Sequence, residues 1–395
     1  MNINHRNIFL HNVAQTSPTP LGLEIVKAEG IYLTDVNGKK YVDLISGISV
    51  SNLGHCHPKV VAAINEQAKT YMHLMVYGEY VQYPQTQYAK LLTSLLPSSL
   101  NCIYYTNSGT EATEGALKLA KRVTGRSEII CFKNSYHGST HGALSVMGNE
   151  EYKNSFRPLL PDVKQLDFNN FSQLNQITTK TACVIIEPIQ GEAGVHKANT
   201  EFLKALRKKC DECCALLIFD EIQTGFGRTG MLFAFENYNV VPDVLLIAKG
   251  MGGGLPIGAF IASEKLMSCL TNNPVLGHIT TFGGNAVCLA ASKATLEVIV
   301  EEKLYLRADE IEKVLLEVLV HPKIKEVRVA GALCAVEFGD ADLNMKIIAT
   351  CIEKGIITDW FLHCPTAMRI APPLIISNKE LRASLQIILE VLNSL

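Results

Sequence analysis

The chain has 395 residues, 48% of them hydrophobic and 19% charged, with a formal net charge of −2 and a mean hydropathy of +0.16. A chain of this length suits two units and a sizeable core. Near-neutral charge supplies no basic field for nucleic acid, no apolar run approaches the roughly 18 residues of a membrane span, and MNINHRNIFLHNV lacks an apolar leader core, so a cytoplasmic location is expected.

Taken along the chain, the first clear element is IYLTDVNGKKYVDL, a hairpin around Asn37-Gly38. It stands outside the pattern that follows, so residues 1–50 are expected to join the smaller unit. His55 and His57 of GHCHP precede the helix-starting Pro58, and a histidine pair in that position reads as structural. From about 100 to 290, short apolar runs alternate with helical patterns: CIYYT and a helix over 111–124, EIICF, ACVIIEP and a helix over 201–213, ALLIFDE, then DVLLIAKG. Continuous apolar runs between helices indicate an α/β unit over residues 51–290, its sheet mostly parallel and covered on both faces. Beyond 290 come a helix through Leu304, Ile311, Val314, Leu315 and Val318, strand-like KEVRVAGALCAVEF, and a last helix after Ser377, which forms a capping box with Glu380. Residues 291–395 read as a smaller α+β domain.

The 12 cysteines are spread along the chain and lie mostly in apolar stretches, which predicts reduced core thiols. Cys210 and Cys213 form a CxxC, followed by Cys214, but no second pair or nearby histidine completes a metal set, and FLKALRKKCDECC reads as amphipathic helix. No metal is expected.

Ligands of open α/β sheets bind beyond the carboxyl ends of the strands, so the polar residues ending each apolar run matter most. CIYYT runs into Asn107-Ser108-Gly109-Thr110 and a helix, CVII into Glu187, ALLIF into Asp220-Glu221, and VLLIA into Lys249. Spacings of about thirty residues allow right-handed crossovers, so these groups can converge on one crevice. Ser108-Gly109-Thr110 at a helix start is a phosphate cradle in form, although an ordinary N-cap uses the same residues. A lysine ending a buried strand is either a snorkelling side chain or a desolvated, nucleophilic amine able to form an imine. Asp220 shifts the choice, because a carboxylate there could keep a pyridine nitrogen protonated. Phosphate turn, carboxylate and lysine are together the minimal apparatus for pyridoxal 5'-phosphate.

From GIYLTDVNGKKYVDL near residue 30 to RIAPPL near 370, with GHCHP, NSGTEATEGALKLAKR, SYHG, IIEPIQGEAGV, FDEIQTGFGRTG, LLIAKGMGGGLPIGA and HITTFGGN in order between them, the chain resembles the class III (ω-type) aminotransferases of pyridoxal phosphate fold type I, with the layout of acetylornithine and ornithine aminotransferases. The resemblance implies a large α/β/α domain with a mostly parallel seven-stranded sheet and a smaller α+β domain. It implies that Ser108, Gly109 and Thr110 hold the phosphate, Tyr136 stacks on the pyridine ring, Glu187 lies among the cofactor contacts, Asp220 binds the ring nitrogen, and Gln223 contacts the phenolic oxygen. Lys249 would carry the cofactor as a Schiff base and, when freed, act as the general base. Thr281 would reach the phosphate of a neighbouring subunit, making a homodimer with shared active sites the functional unit. Glu192 and Arg369 would serve two successive substrates, Arg369 clamping a carboxylate such as that of 2-oxoglutarate after Glu192 releases it, in a ping-pong transfer from a small-molecule amino donor with a terminal ω-amine.

One position departs from the pattern. The acetylornithine, ornithine and 4-aminobutyrate enzymes place an arginine after the aromatic-His/Trp-Gly motif, whereas YHG is followed here by Ser139, so the donor does not carry over. Lys153 and Arg157 are candidate substitutes for the missing cation. Two rival readings stand beside this one: a mutase, racemase or decarboxylase using the same lysine and aspartate, and a nicotinamide-dependent dehydrogenase, since Gly225-Phe226-Gly227-Arg228-Thr229-Gly230 fits GxGxxG with Asp243 beyond it.

Overall fold

The computed structural model describes residues 4–395. Its centre is a seven-stranded sheet in the order Cys102–Thr106, Gly258–Ala262, Val244–Ile247, Leu216–Asp220, Thr181–Ile186, Glu128–Phe132, Val163–Leu166. Gly258–Ala262 runs antiparallel to both neighbours, while the other pairings are parallel, so six strands share one direction. The inner strands are buried at every position, as their unbroken apolar sequences require.

Helix Gly109–Thr124 shows how closely helix and sheet meet. Ser108 caps it by accepting from the Glu111 N–H at 3.3 Å, and Gly125 ends it in the left-handed region at φ 67°. Ala112, Ala116, Leu119 and Ala120 face the sheet. A Cβ on Gly115 would sit 2.2 Å from the Phe260 ring, so only glycine allows this approach.

The N-terminal hairpin forms, with Tyr32–Asp35 antiparallel to Lys40–Asp43. Its second strand also pairs with Ile356–Ile357, which ties the chain's beginning to its last quarter. KEVRVAGALCAVEF divides at Gly331 into antiparallel strands Glu326–Ala330 and Leu333–Glu337, extended by Cys364–Ile370 and Asp359–Phe361. Helix Asn378–Ser394 opens with the expected capping box. The helix expected from Leu304 begins with a 3₁₀ turn, Leu304–Leu306, and becomes α-helical at Arg307–Val318. Residue 290, read as a boundary, lies inside the continuous helix Ala286–Glu301, which packs on helices Pro58–Thr70 and Tyr83–Ser94.

All 12 cysteines are free thiols; Cys131, Cys183, Cys210, Cys213, Cys334 and Cys351 are buried, but Cys56 and Cys214 are exposed. Among the described residues no cluster of His, Cys, Asp and Glu could hold a metal ion, and no helix is long and apolar enough to cross a membrane. His55 bonds Asp43 through Nε2 at 2.8 Å, and His57 stands at the N-cap position of helix Pro58–Thr70 without a side-chain capping bond.

The GFGRTG segment is a turn, not the strand-to-helix cradle of a dinucleotide site, and is followed by the 3₁₀ helix Ala234–Tyr238. Asp243 is engaged by the Leu217 N–H at 2.7 Å and by Arg207 at 2.8 Å, which removes the dehydrogenase reading. The segment instead carries Arg228, wholly buried, which donates to the carbonyls of Ala332 at 3.2 Å and Pro372 at 2.5 Å and to Asn52 Oδ1. Burial lowers its pKa to about 9, so neutral acceptors must stabilise the charge. Arg228→Met strands three buried acceptors and should lower stability by about 3 kcal/mol. Urea midpoints check this, and a loss below about 1 kcal/mol would rule out Arg228 as the clasp between these segments.

Candidate active site

The carboxyl ends of the strands open on a cavity of about 530 Å³, lined by Ser108, Gly109, Thr110, Tyr136, Ser139, Glu187, Asp220, Gln223 and Lys249. Nine candidate residues thus meet in one place: Ser108, Gly109, Thr110, Glu187, Asp220 and Lys249 as the strand-end rule predicts, and Tyr136, Ser139 and Gln223 as the resemblance implies, while Glu221 does not line the cavity.

Each wall has a local cause. Gly109 starts its helix with Ile222 beneath it, and an added Cβ would approach that side chain to 2.8 Å. The helix presents backbone N–H groups and the positive end of its dipole to the cavity, which suits an anion. Opposite, Gly138 adopts φ 122°, and a Cβ there would lie 2.3 Å from Thr110 Oγ1. Thr110 in turn bonds Thr140, oxygen to oxygen, at 2.7 Å.

Asp220 accepts from the Ile222 N–H through Oδ1 at 3.0 Å, and its Oδ2 lies 2.7 Å from His137 Nδ1. His137 was not singled out from the sequence. It is buried and lines the cavity together with Tyr136, so the SYHG motif held the signal for both. Glu187 accepts from the Tyr136 N–H at 3.0 Å and the Gly191 N–H at 3.2 Å. Burial raises its carboxyl to about 7. Gln223 Nε2 is buried without a hydrogen-bond partner, and a Cβ on Gly191 would fall 1.8 Å from its Oε1.

Lys249 follows Ala248 with φ 45°, a left-handed conformation that a lysine rarely adopts and that turns the chain off the strand. Burial lowers the pKa of its amine; Glu192 opposes that shift, Arg369 adds to it, and Asp220 and Glu187 oppose it. A larger fraction of the amine is therefore neutral, and so available as a nucleophile or proton acceptor, than in an exposed lysine.

Glu192 and Arg369 do not line the cavity wall but form a buried pair behind it, Oε2 to Nη2 at 2.7 Å. Burial alone would raise Glu192, but Arg369 and Lys249 outweigh it and hold its carboxyl below the ordinary range. A residue absent from the sequence reading joins them: Asp359 lies opposite Arg369 across the strand pair, with Oδ1 3.2 Å from Nε. That contact is not aligned as a hydrogen bond, since neither atom has a hydrogen-bond partner. A Phe361 ring covers the guanidinium at 4.5 Å.

Other candidates fall elsewhere. Lys153 pairs with Glu150 at 2.9 Å and the Met147 carbonyl at 3.2 Å, and Arg157 pairs with the same Glu150, so neither replaces a cavity cation. Thr281 is exposed, its Oγ1 3.4 Å from Tyr77 Oη, and lies outside this chain's own cavity.

The comparisons agree with this geometry. The family described as aminotransferase class-III matches residues 13–392. An acetylornithine aminotransferase from Methanocaldococcus jannaschii is 41% identical over 389 residues, covering 94% of each chain. Ornithine aminotransferase 1 of Staphylococcus aureus is 38% identical over 378 residues, with 92% of each covered. The crystal structure of the ornithine aminotransferase from Toxoplasma gondii ME49 superposes with a TM-score of 0.90 at 30% identity, covering 98% of this chain and 94% of that one. A left-handed lysine closing a parallel strand, a carboxylate beside it and a capped helix start across the cavity thus sit on a shared fold, and the chain belongs to the class III aminotransferases.

Proposed function

We propose that this aminotransferase uses pyridoxal 5'-phosphate to move an amino group from a terminal amine to 2-oxoglutarate in two successive half-reactions. The observation that carries this reading is the meeting of Lys249, Asp220 and the Gly109–Thr110 helix start around one cavity. The orphaned Gln223 Nε2 and the wall that a Cβ at Gly138 would invade also fit a bound group with a phosphate, a ring nitrogen and a phenolic oxygen.

Ser108, Gly109 and Thr110 would hold the phosphate, Tyr136 the ring face, Gln223 the phenolic oxygen and Glu187 the cavity floor. Asp220, oriented by His137, would hold the ring nitrogen and favour its protonated form. When bound, the cofactor supplies an electron-withdrawing ring able to accept the electron pair of a broken C–H bond. Lys249 Nζ takes the proton from the carbon bearing the donor's amine, and its lowered pKa leaves it free to do so. Arg369 takes the acceptor's carboxylate after Glu192 swings aside, and that equipment for alternating substrates favours transamination over mutase or racemase chemistry.

The functional unit in this reading is a homodimer, in which Thr281 serves the partner's phosphate. Thr281 is exposed with Tyr77 against it, and its neighbour Phe282 is exposed as well, at 56%. The N-terminal segment and residues 291–395 would form the smaller domain against which the site closes.

Lys249→Ala should abolish turnover and the visible absorbance of an imine-linked cofactor while leaving the urea midpoint within about 1 kcal/mol of wild type. Retained transamination would refute the assignment. A pH experiment addresses Glu187. Its carboxyl moves from 4.5 to about 7 on burial; a folded-state pKa raised in this way gives stability that is full below the unfolded value and lost as pH rises through the folded one. The stability difference between Glu187→Gln and wild type, measured on cofactor-free protein, should therefore climb between pH 4.5 and about 7 in favour of the variant and be level outside that window. A difference independent of pH contradicts a buried carboxylate.

A further inference from the structure

A buried nitrogen in the turn that holds Glu192 has no partner: Nε2 of His363. The turn Leu362-His363 joins strands Asp359–Phe361 and Cys364–Ile370 and packs against the segments that carry Tyr136, Tyr152 and Glu192. The Leu362 N–H donates to Glu192 Oε2 at 3.2 Å, and the Leu362 carbonyl accepts from Tyr152 Oη at 3.0 Å. The His363 N–H donates to the Glu192 carbonyl at 3.0 Å. The His363 ring lies against those of Tyr152 and Tyr136, with centroids 5.5 and 6.5 Å away.

The surroundings fix what that nitrogen can do. Nδ1 lies 2.9 Å from the Asn134 carbonyl, which can only accept, so Nδ1 carries the proton and Nε2 of the neutral ring is a bare acceptor. Burial lowers the pKa of the ring; the Asn134 carbonyl and Glu192 oppose that shift, and His137 adds to it. The titratable groups around it are Tyr136 and His137 from one segment, Tyr152 from a second and Glu192 from a third, with Arg369 and Asp359 on its own hairpin. Glu192 needs such a neighbour. In the proposed reaction it yields Arg369 to the acceptor's carboxylate, and a buried carboxylate left without a partner is expensive. Its carbonyl is anchored on the His363 N–H, so a rotation of the side chain alone keeps the carboxyl within reach of this turn.

We propose that His363 Nε2 receives the Glu192 carboxyl when it leaves Arg369, the two groups sharing one proton taken from water. The proposal rests on the two-substrate aminotransferase reading and supplies the resting place of the displaced glutamate. Charge balances: the acceptor brings one negative charge to Arg369, and the carboxylate and the ring bind one proton between them, so the net charge of the site is unchanged. His363 is a positioning residue, acting on the acceptor through Glu192. Acceptor binding then raises the pKa of the Glu192–His363 pair. The affinity gained in this way is full below the resting value and is lost as pH rises toward the raised one.

The probe is glutarate, which has both carboxylates of 2-oxoglutarate and no oxo group to react. It is titrated calorimetrically into the cofactor-loaded enzyme at about pH 8, in buffers of different ionisation heat, which counts the protons taken up. About one proton per site is expected in the wild type, with a dissociation constant that rises about tenfold per pH unit in this range. His363→Asn and His363→Gln keep an amide near Nδ1 and near Nε2 respectively but cannot titrate; both should abolish the uptake and flatten the pH dependence. Glu192→Gln, with no carboxylate to relocate, should do the same, whereas Asp359→Asn should leave the uptake in place. Bleaching of the visible band by ornithine, a donor half-reaction, should keep its pH dependence in the His363 variants. Glutarate binding without proton uptake in the wild type, uptake that persists in a folded His363 variant, or uptake lost in Asp359→Asn overturns the proposal and leaves the aminotransferase reading intact. No glutarate binding at all, together with no visible band after added pyridoxal phosphate, overturns both.

Discussion

Buried charge is the constraint on which the rest of this structure depends. Glu187, Glu192, Asp220, Glu221, Arg228 and Arg369 are all under 9% exposed, and in a low-dielectric interior each must find compensation or abandon its charge. The compensations differ, and the differences sort these residues into supports and working parts. Glu221 is met by the backbone N–H groups of Ala234 and Phe235 at 2.5 and 2.7 Å, and burial still raises its carboxyl to about 7. Asp220 has a histidine, whereas Glu192 has an arginine and a lysine nearby. The first arrangement is made entirely within the fold. The other two sit where a ligand can exchange places with a partner.

The two buried arginines make the same distinction. Arg228 is held by neutral acceptors from three distant parts of the chain, two of them backbone carbonyls and the third the Asn52 side-chain amide. Arg369 is held by the Glu192 and Asp359 carboxylates and by the Trp360 carbonyl. Its strand is paired on both sides by antiparallel neighbours, which fixes its backbone. One residue type thus serves two buried settings that are told apart only by what they touch.

Much of this was legible in the sequence because it follows from local rules. The parallel strands announced themselves as unbroken apolar runs, and the helix after Ser108 by its cap and its alanine face. The strand-end rule then brought Ser108, Gly109, Thr110, Glu187, Asp220 and Lys249 to one cavity without any coordinates, and the family resemblance added Tyr136, Ser139 and Gln223. What stayed hidden depends on long-range pairing. Strand Gly258–Ala262 is antiparallel and glycine-led, so it carries no crossover signal and reads as the tail of a loop. Val163–Leu166 contains a lysine and a glutamine at the sheet edge, which breaks the apolar run. Asp359 meets Arg369 across a hairpin whose turn, Leu362-His363, has neither glycine nor asparagine, so the usual turn chemistry gives no register.

The left-handed lysine links fold to chemistry. A continuation of strand Val244–Ile247 in extended geometry would carry the next side chains to alternating faces of the sheet, against the packed helices. A turn at φ 45° instead lifts Lys249 off the edge into the cavity, and the chain returns through Gly253 and Gly254, whose φ of 59° and 108° are easy for glycine. Backbone strain at a lysine persists only where surrounding contacts over-determine it. Here they include the close seat of Gly250 against Asn52, where a Cβ would fall 2.8 Å from Nδ2. Asn52 also donates to the Phe226 carbonyl and accepts from Arg228. The turn after Lys249 thus packs on Asn52, and Asn52 is held by the glycine-rich segment that carries Phe226 and Arg228.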